Sequence, residues 1–227
     1  VDPQQRITLE TVYHALEDAA LAPQSIKGSD TGIFIGVSTW DYRNLVHLHP
    51  EQNSQAQVPT GSAYSILANR ISYLLDLHGP SEPIDTACSS SLVAVHRAAE
   101  QIRLGNCSMA IVGGVNALLT PELSRSFHQA GMLSEDGRCK TFDQSANGYV
   151  RGEGVGILIL KPLSRAEADG DRIYGLILGT AENHGGRANT LTSPNPQAQK
   201  ELLLKAYRQA GVDPRRVTYI EAHGTGT

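Results

Sequence analysis

The chain has 227 residues, 40% hydrophobic and 19% charged, with 19 Lys and Arg against 23 Asp and Glu for a formal net charge of −4. That length supports one or two domains with a sizeable core, and the charge balance offers no basic field to hold nucleic acid. The longest apolar runs, such as Val155 to Leu160, fall far short of the roughly 20 residues of a membrane span, so no membrane is expected either. Val1-Asp2-Pro3 has neither an initiating Met nor the charged-then-apolar pattern of a signal peptide, and the sequence reads as cut from something longer. The three cysteines, Cys88, Cys107 and Cys139, lack metal-type spacing, and their odd number argues against a disulfide framework. Free thiols in a reducing cytoplasm are the expected state.

Asp2 caps a first helix with Pro3 at its first position, and Ile7, Val12, Ala15, Leu16 and Ala19 give that helix an apolar face before Pro23. Gly32 to Val37 is the first strand. The stretch from Asp41 to Pro59, rich in His, Gln, Asn and Pro, is expected to be loop. A helix from about Ala63 to Leu77 leads into a short strand from Ser81 to Asp85, which is expected to be buried. Leu92, Val95, Ala98, Ala99 and Ile102 recur at helical spacing until Gly105, a C-terminal stop. Then come Cys107 as a small buried residue, strand Met109 to Val112, a turn at Gly113-Gly114, a helix opened by Thr120-Pro121, a long loop to about Gly148, and strand Glu153 to Leu160. From Arg172 the pattern begins again with strand Ile173 to Thr180, helix Pro196 to Ala210 and strand Val217 to Glu221. Alternating apolar strands and amphipathic helices predict an α/β fold with mixed or parallel sheets.

Cys88 is the most informative residue. A free thiol of pKa about 8.5 is mostly protonated at neutral pH, and a helix N-terminus favours its anion. The small-residue turn between the strand ending at Asp85 and the helix after Ser90 places Cys88 at such a terminus, an elbow that exposes the sulfur and aims backbone N–H groups at its reaction partner. His223 is followed by Gly224-Thr225-Gly226-Thr227, small and polar enough for backbone to approach a ligand. A reactive cysteine paired with a histidine distant in sequence is a general arrangement in acyl transfer. Cys139 lies between Arg138 and Lys140, which favour a thiolate, yet its loop offers no sequence-level base.

Six blocks then carry a resemblance that runs from end to end: Asp2-Pro3-Gln4-Gln5-Arg6, Asp85-Thr86-Ala87-Cys88-Ser89-Ser90, Ala130-Gly131-Met132-Leu133-Ser134, Asp136-Gly137-Arg138-Cys139-Lys140, Gly148-Tyr149-Val150-Arg151-Gly152-Glu153-Gly154, and Glu221 to Thr227. In this order they resemble the ketosynthase domains of modular type I polyketide synthases, members of the thiolase-like superfamily. The wording of Ser81 to Asp85 and of Glu182 to Asn189 is most similar to synthases served by a separate acyltransferase. The resemblance implies a five-layer α/β/α/β/α architecture, here truncated at both ends. It implies an N-terminal half over residues 1–171 and the start of a C-terminal half over residues 172–227.

It also implies roles. Cys88 would take an acyl group from the phosphopantetheine arm of an acyl carrier protein, and a malonyl-type extender would lose carbon dioxide and attack the Cys88 thioester. His223 would stabilise the extender's developing oxyanion, the Cys88 N–H would serve the other oxyanion hole, and Thr225 and Thr227 would bind the pantetheine arm. No tightly bound cofactor and no metal are expected. The implied partners are acyl carrier protein domains, neighbouring polyketide synthase domains and a second copy in a homodimer, in the cytoplasm. Gly113-Gly114, Gly131 and Gly152-Glu153-Gly154 read as scaffolding, Asp85 as fixing the elbow, and Ser89 to Ser91 as satisfying helix N–H groups. Met132 is a candidate for an acyl tunnel or for plain packing, and His184-Gly185-Gly186-Arg187 for a loop near the mouth. A non-extending ketosynthase that relays an acyl chain without condensation, a docking module without chemistry, and a coenzyme A-dependent condensing enzyme remain alternatives.

Overall fold

The structure, a computed structural model, describes residues 1–49 and 55–227. Its sheet has four strands, β1 (Gly32–Gly36), β2 (Ser81–Ile84), β3 (Ala110–Asn116) and β4 (Gly154–Leu160), in the order β2-β1-β3-β4. β1 runs parallel to β2 and to β3, and β4 is antiparallel to β3. The α-helices among the described residues are α1 (Pro3–Asp18), α2 (Pro23–Ile26), α3 (Asp41–Leu48), α4 (Val58–Ser62), α5 (Tyr64–Leu75), α6 (Ser90–Arg103), α7 (Glu122–Gln129), α8 (Leu163–Asp169) and α9 (Pro196–Ala210), with single 3-10 turns at Gln55–Gln57, Ala87–Ser89 and Pro214–Arg216.

Strand alternation sorts the core into two faces. Ile33, Ile35 and Val37 join Ile111 and Val115 against Val12 and Leu16 of α1 and Leu67 and Ile71 of α5. On the other face Phe34, Ala110 and Val112 pack against Ala94 and Ala98 of α6, with the thiol of Cys107 buried among them. Every residue of β1 is buried, as expected of a parallel strand covered on both sides. β2 is an edge strand, half-buried instead of buried, because only β1 pairs with it.

Glycines decide how closely α6 can lie on the sheet. Gly36 pairs with Gly114, and Gly114 with Gly156, so three adjacent strands present a row without side chains. A Cβ at Gly36 would stand 2.6 Å from the backbone nitrogen of Ser91, and one at Gly114 2.7 Å from the Ser91 Cβ. Gly113-Gly114 is therefore not the expected turn. Both residues lie inside β3, where they admit the first turn of α6 and the backbone of β4.

Asp2, Gln4 and Gln5 of the N-terminal block are buried and occupied. Asp2 caps α1 by accepting from the Gln4 N–H at 2.8 Å. Gln4 Oε1 accepts from the Ala117 N–H and from Thr39 Oγ1, while its Nε2 donates to the Thr39 carbonyl. Gln5 Nε2 donates to the Thr60 and Ala63 carbonyls, and its Oε1 accepts from Arg70 Nε. Asp41, only 4% exposed, accepts from the Leu119 and Thr120 N–H groups. These side chains tie the exits of β1 and β3 to α1.

Several expectations are corrected. The stretch from Asp41 to Pro59 is not all loop: α3 forms at its start, because Tyr42, Leu45 and Val46 turn inward at helical spacing within polar surroundings. Gln55–Gln57 forms a 3-10 turn and α4 begins at Val58, whereas residues 50–54 lie outside the described residues. Helix α8, which has few apolar residues to signal it, ends on Gly170 in the left-handed conformation at φ 72°. The runs Ile173 to Thr180 and Val217 to Glu221 form no strand. Their ladder groups meet no neighbouring strand, and Tyr174, Leu176, Leu178, Tyr219 and Ile220 are exposed. The first run is held by side chains instead: Thr180 Oγ1 shares a hydrogen bond of 2.7 Å with His96 Nδ1 on α6, and its N–H donates to Gln209 of α9.

In the intact protein, Gly36→Ala is expected to destabilise the fold by about 1–3 kcal/mol, because the clashing atom is backbone and cannot rotate away. A lower urea midpoint with an unchanged slope is the readout. Asp41→Ala should also destabilise by about 1–3 kcal/mol through the stranded Leu119 and Thr120 N–H groups, measured in the same way.

Candidate active site

The elbow after β2 is wired by its own side chains. Asp85 Oδ1 accepts from the Ala87 N–H at 3.1 Å. The Thr86 N–H donates to Ser90 Oγ at 2.9 Å, and that hydroxyl donates to the Ala87 carbonyl at 2.6 Å. Held on both sides, Ala87 adopts φ 55°, a left-handed conformation that costs an L-residue about 1–2 kcal/mol. This is the sharp turn that lets the chain pass from strand to helix with Cys88 exposed. The expected capping of α6 by serine hydroxyls does not occur. Ser89 is the N-cap without a side-chain cap bond, and its hydroxyl turns back to the Thr86 carbonyl at 2.9 Å. The hydroxyls fix the turn, leaving the first N–H groups of α6 beside Cys88 without side-chain caps.

Cys88 opens on a cavity of about 1000 Å³ at the carboxyl ends of β1 and β3, the usual position for ligands in open α/β sheets. One wall is polar, with Ser38, Thr39, Asn44 and Asn116; Trp40 stands at its rim, 60% exposed. A second wall comes from Leu123 and Phe127 of α7 and from Tyr149 to Gly152, and Leu92 and Val95 of α6 also line the cavity. Leu92 is therefore not the buried helix residue that periodicity predicts but an exposed one facing the cavity. Asn116 links the walls, accepting from Thr39 Oγ1 at 2.9 Å and donating to the Gly152 carbonyl. Burial raises the pKa of the Tyr149 phenol, and the nearby Cys88 sulfur adds to the rise. By contrast the Cys107 thiol, buried in the core, is pushed up chiefly by desolvation.

His223, Thr225 and Thr227 do not line this cavity. His223 is exposed. Its segment is docked on the loop that leads into the cavity wall: the Gly148 N–H donates to the Gly226 carbonyl at 3.0 Å, and Thr141 Oγ1 donates to the Gly224 carbonyl. Gly226, at φ 72°, comes so close to Lys140 that a Cβ there would stand 2.9 Å from its nitrogen. The Thr225 and Thr227 hydroxyls share a hydrogen bond of 2.9 Å. Gly148 immediately precedes Tyr149, so one loop supports both the histidine segment and the wall facing Cys88. Cys139 belongs to that loop and accepts from the Val150 N–H at 3.2 Å. Met132 packs beside the wall without lining the cavity, and residues 184–187 form an exposed stretch apart from it.

Sequence reasoning missed Trp40, Phe127 and Arg151 as wall residues. For Arg151 and Tyr149 a signal existed in the Gly148 to Gly154 block, whereas nothing in α7 distinguishes Phe127 from a core aromatic. Among the described residues no cluster of His, Cys, Asp and Glu is arranged to hold a metal, and no helix is long and apolar enough to cross a membrane.

Comparison with known proteins agrees along the whole chain. Residues 1–166 match the family model "Beta-ketoacyl synthase, N-terminal domain", and residues 174–227 match "Beta-ketoacyl synthase, C-terminal domain". Polyketide synthase PksN of Bacillus subtilis is 51% identical over 229 residues, which cover 100% of this chain and 4% of that protein. Polyketide synthase ThaG of Burkholderia thailandensis is 49% identical over 227 residues, again covering 100% of this chain and 4% of that protein. The chain thus spans a small part of these relatives. Among solved structures, the ketosynthase from module 6 of the bacillaene synthase of Bacillus subtilis superimposes with a TM-score of 0.92 at 43% identity, covering 100% of this chain and 38% of that one. An oxazolomycin ketosynthase domain of Streptomyces albus gives 0.93 at 43% identity, covering 100% and 39%. With an elbow cysteine over an α/β sheet and family matches on both sides of residue 170, the chain belongs to the beta-ketoacyl synthase family, in the ketosynthase form found in polyketide synthases and with their thiolase-like fold.

Proposed function

We propose that this chain performs acyl transfer onto Cys88 followed by decarboxylative Claisen condensation in polyketide chain elongation. The observation that carries the reading is Cys88 itself, exposed on a strained elbow at the start of α6 and facing a cavity large enough for an acyl chain. The Cys88 thiolate attacks the carbonyl of an acyl thioester on the phosphopantetheine arm of an acyl carrier protein. A carbon–sulfur bond forms at Cys88, the bond to pantetheine breaks, and the pantetheine sulfur takes up a proton. The backbone N–H of Cys88 donates to the oxyanion of that step.

A malonyl-type extender on a second carrier arm then loses carbon dioxide. Its enolate carbon attacks the Cys88 thioester, forming the new carbon–carbon bond and expelling the Cys88 thiolate. In this reading His223 donates to the extender's thioester oxygen as charge builds there, and Thr225 and Thr227 hold the pantetheine arm. The docking of Gly224 and Gly226 on the loop that ends in Tyr149 supports this assignment, since it ties the histidine segment to the wall of the Cys88 cavity. The polyketide synthase relatives support carrier protein domains and neighbouring synthase domains as partners. A homodimer, a cytoplasmic location and a division between residues 1–171 and 172–227 belong to the same proposal.

In the intact protein, Cys88→Ala should abolish acyl labelling from a carrier thioester, read by peptide mass spectrometry; labelling first at Cys139 would remove Cys88 as the nucleophile. His223→Ala should leave self-acylation nearly intact while slowing malonyl decarboxylation and condensation by about 10²–10³, the usual loss for one oxyanion donor. Equal loss in both half-reactions would refute this division of roles.

A further inference from the structure

Helix α7 contributes Leu123, Ser126 and Phe127 to the wall facing Cys88, yet none of its residues is buried and its N-cap, Pro121, makes no side-chain bond. Core packing therefore does not fix where this wall stands. Arg151 does. Its Nη1 donates to Ser124 Oγ on α7 at 2.7 Å, and its guanidinium carbon sits 5.4 Å from the centroid of the Phe127 ring. That ring in turn lies 6.3 Å from the Tyr149 ring at 58°. Backbone bonds from the Met132 N–H to the Phe127 carbonyl and from the Tyr149 N–H to the Met132 carbonyl, each 3.0 Å, close the unit. Phe127, Tyr149 and Arg151 all line the cavity that holds Cys88.

We infer that Arg151 is a positioning residue that holds Phe127 in the wall beside Cys88 and so limits the width of the acyl group that Cys88 accepts. The guanidinium suits this work, since it bonds Ser124 through one N–H while its charge stays over the ring. Lysine offers neither the plane nor the fork. The inference rests on Cys88 being the acyl acceptor.

The test is competitive alkylation of Cys88 in the intact protein by iodoacetamide and by N-cyclohexyl iodoacetamide, with the products at Cys88 quantified by mass spectrometry. Freed of Arg151, Phe127 can yield, so Arg151→Ala should raise the ratio of bulky to small product about threefold or more, the scale of one cation–π contact. Phe127→Ala should raise the ratio as well, and adding Arg151→Ala to it should change little further, because the two act through one wall. An unchanged ratio, full additivity in the double variant, or both products falling in parallel with a lowered melting temperature would overturn the inference, the last marking a merely structural role. Failure of wild-type Cys88 to take an acyl group from an acyl-pantetheine thioester would instead overturn the acyl-acceptor reading, on a measurement that the alkylation ratio does not share.

Discussion

Helix α6 begins directly on a part of the sheet that has no side chains, and the position of Cys88 follows from that close approach. Gly36 faces the backbone of Ser90 and Ser91, and Gly114 the Cβ of Ser91, at distances where even a methyl group would overlap. Farther along, the helix keeps the approach with Ala94 and Ala98, both fully buried. The elbow before it has to make a tight bend to reach this position. Ala87 enters the left-handed region to do so, and Asp85 and Ser90 hold it there. Strain at Ala87 and glycine in the strands are two sides of one geometric demand, that a thiol stand at a helix terminus and at the carboxyl edge of a parallel sheet simultaneously.

The remaining walls are brought to this thiol by side chains that accept or donate at long range. Gln4 fixes Thr39, Thr39 bonds Asn116, and Asn116 reaches the Gly152 carbonyl. Glu153 accepts from the Leu118 N–H at 2.7 Å, alongside the two N–H groups that Asp41 receives. Exits of strands are where backbone donors lose their ladder partners, and buried donors left unpaired cost about 1–3 kcal/mol each. Here carboxylates and amides supply the acceptors, so the rim of the cavity is ordered without being apolar.

Much of this was legible in the sequence where periodicity and burial coincide. α1, α5, α6, β1 and β4 lie close to their expected ranges because each packs an apolar stripe or run in the layers about the sheet, whereas β3 continues through Gly113-Gly114, where a turn was expected, to Asn116. α3 was hidden, since beside the buried Asp41 only Tyr42, Leu45 and Val46 carry its inward face between polar neighbours. Ile173 to Thr180 and Val217 to Glu221 have the composition of strands, but a strand also needs a neighbour to receive its hydrogen bonds, which composition does not register. At the site, Cys88 could be read from local chemistry because the elbow is built from consecutive residues. Phe127 could not, since its meaning arises only where α7 and the Tyr149 to Gly152 segment meet, and the Gly148 to Gly154 block marked Arg151 without placing it in the wall. The buried Gln4 and Gln5 show the same limit: as letters they look like helix surface, and only their partners at Thr39, Thr60 and Ala117 explain their burial.

The Gln4 network also bears on the order in which the molecule can assemble. Gln4 and Ala117 are 113 residues apart, Thr141 and Gly224 are 83 apart, and Asp18 meets Tyr174 across 156. Contacts of this span must overcome loop-closure entropy before they return any stabilisation, and chains dominated by them fold slowly. During synthesis, the first helix leaves the ribosome long before the strand exit that satisfies its buried glutamine. Until residue 117 has emerged, the Gln4 amide cannot make its native bond to that backbone. The elbow around Ala87 needs only neighbours within a few residues, so its wiring can be made locally while the rim of the cavity waits for the chain that follows.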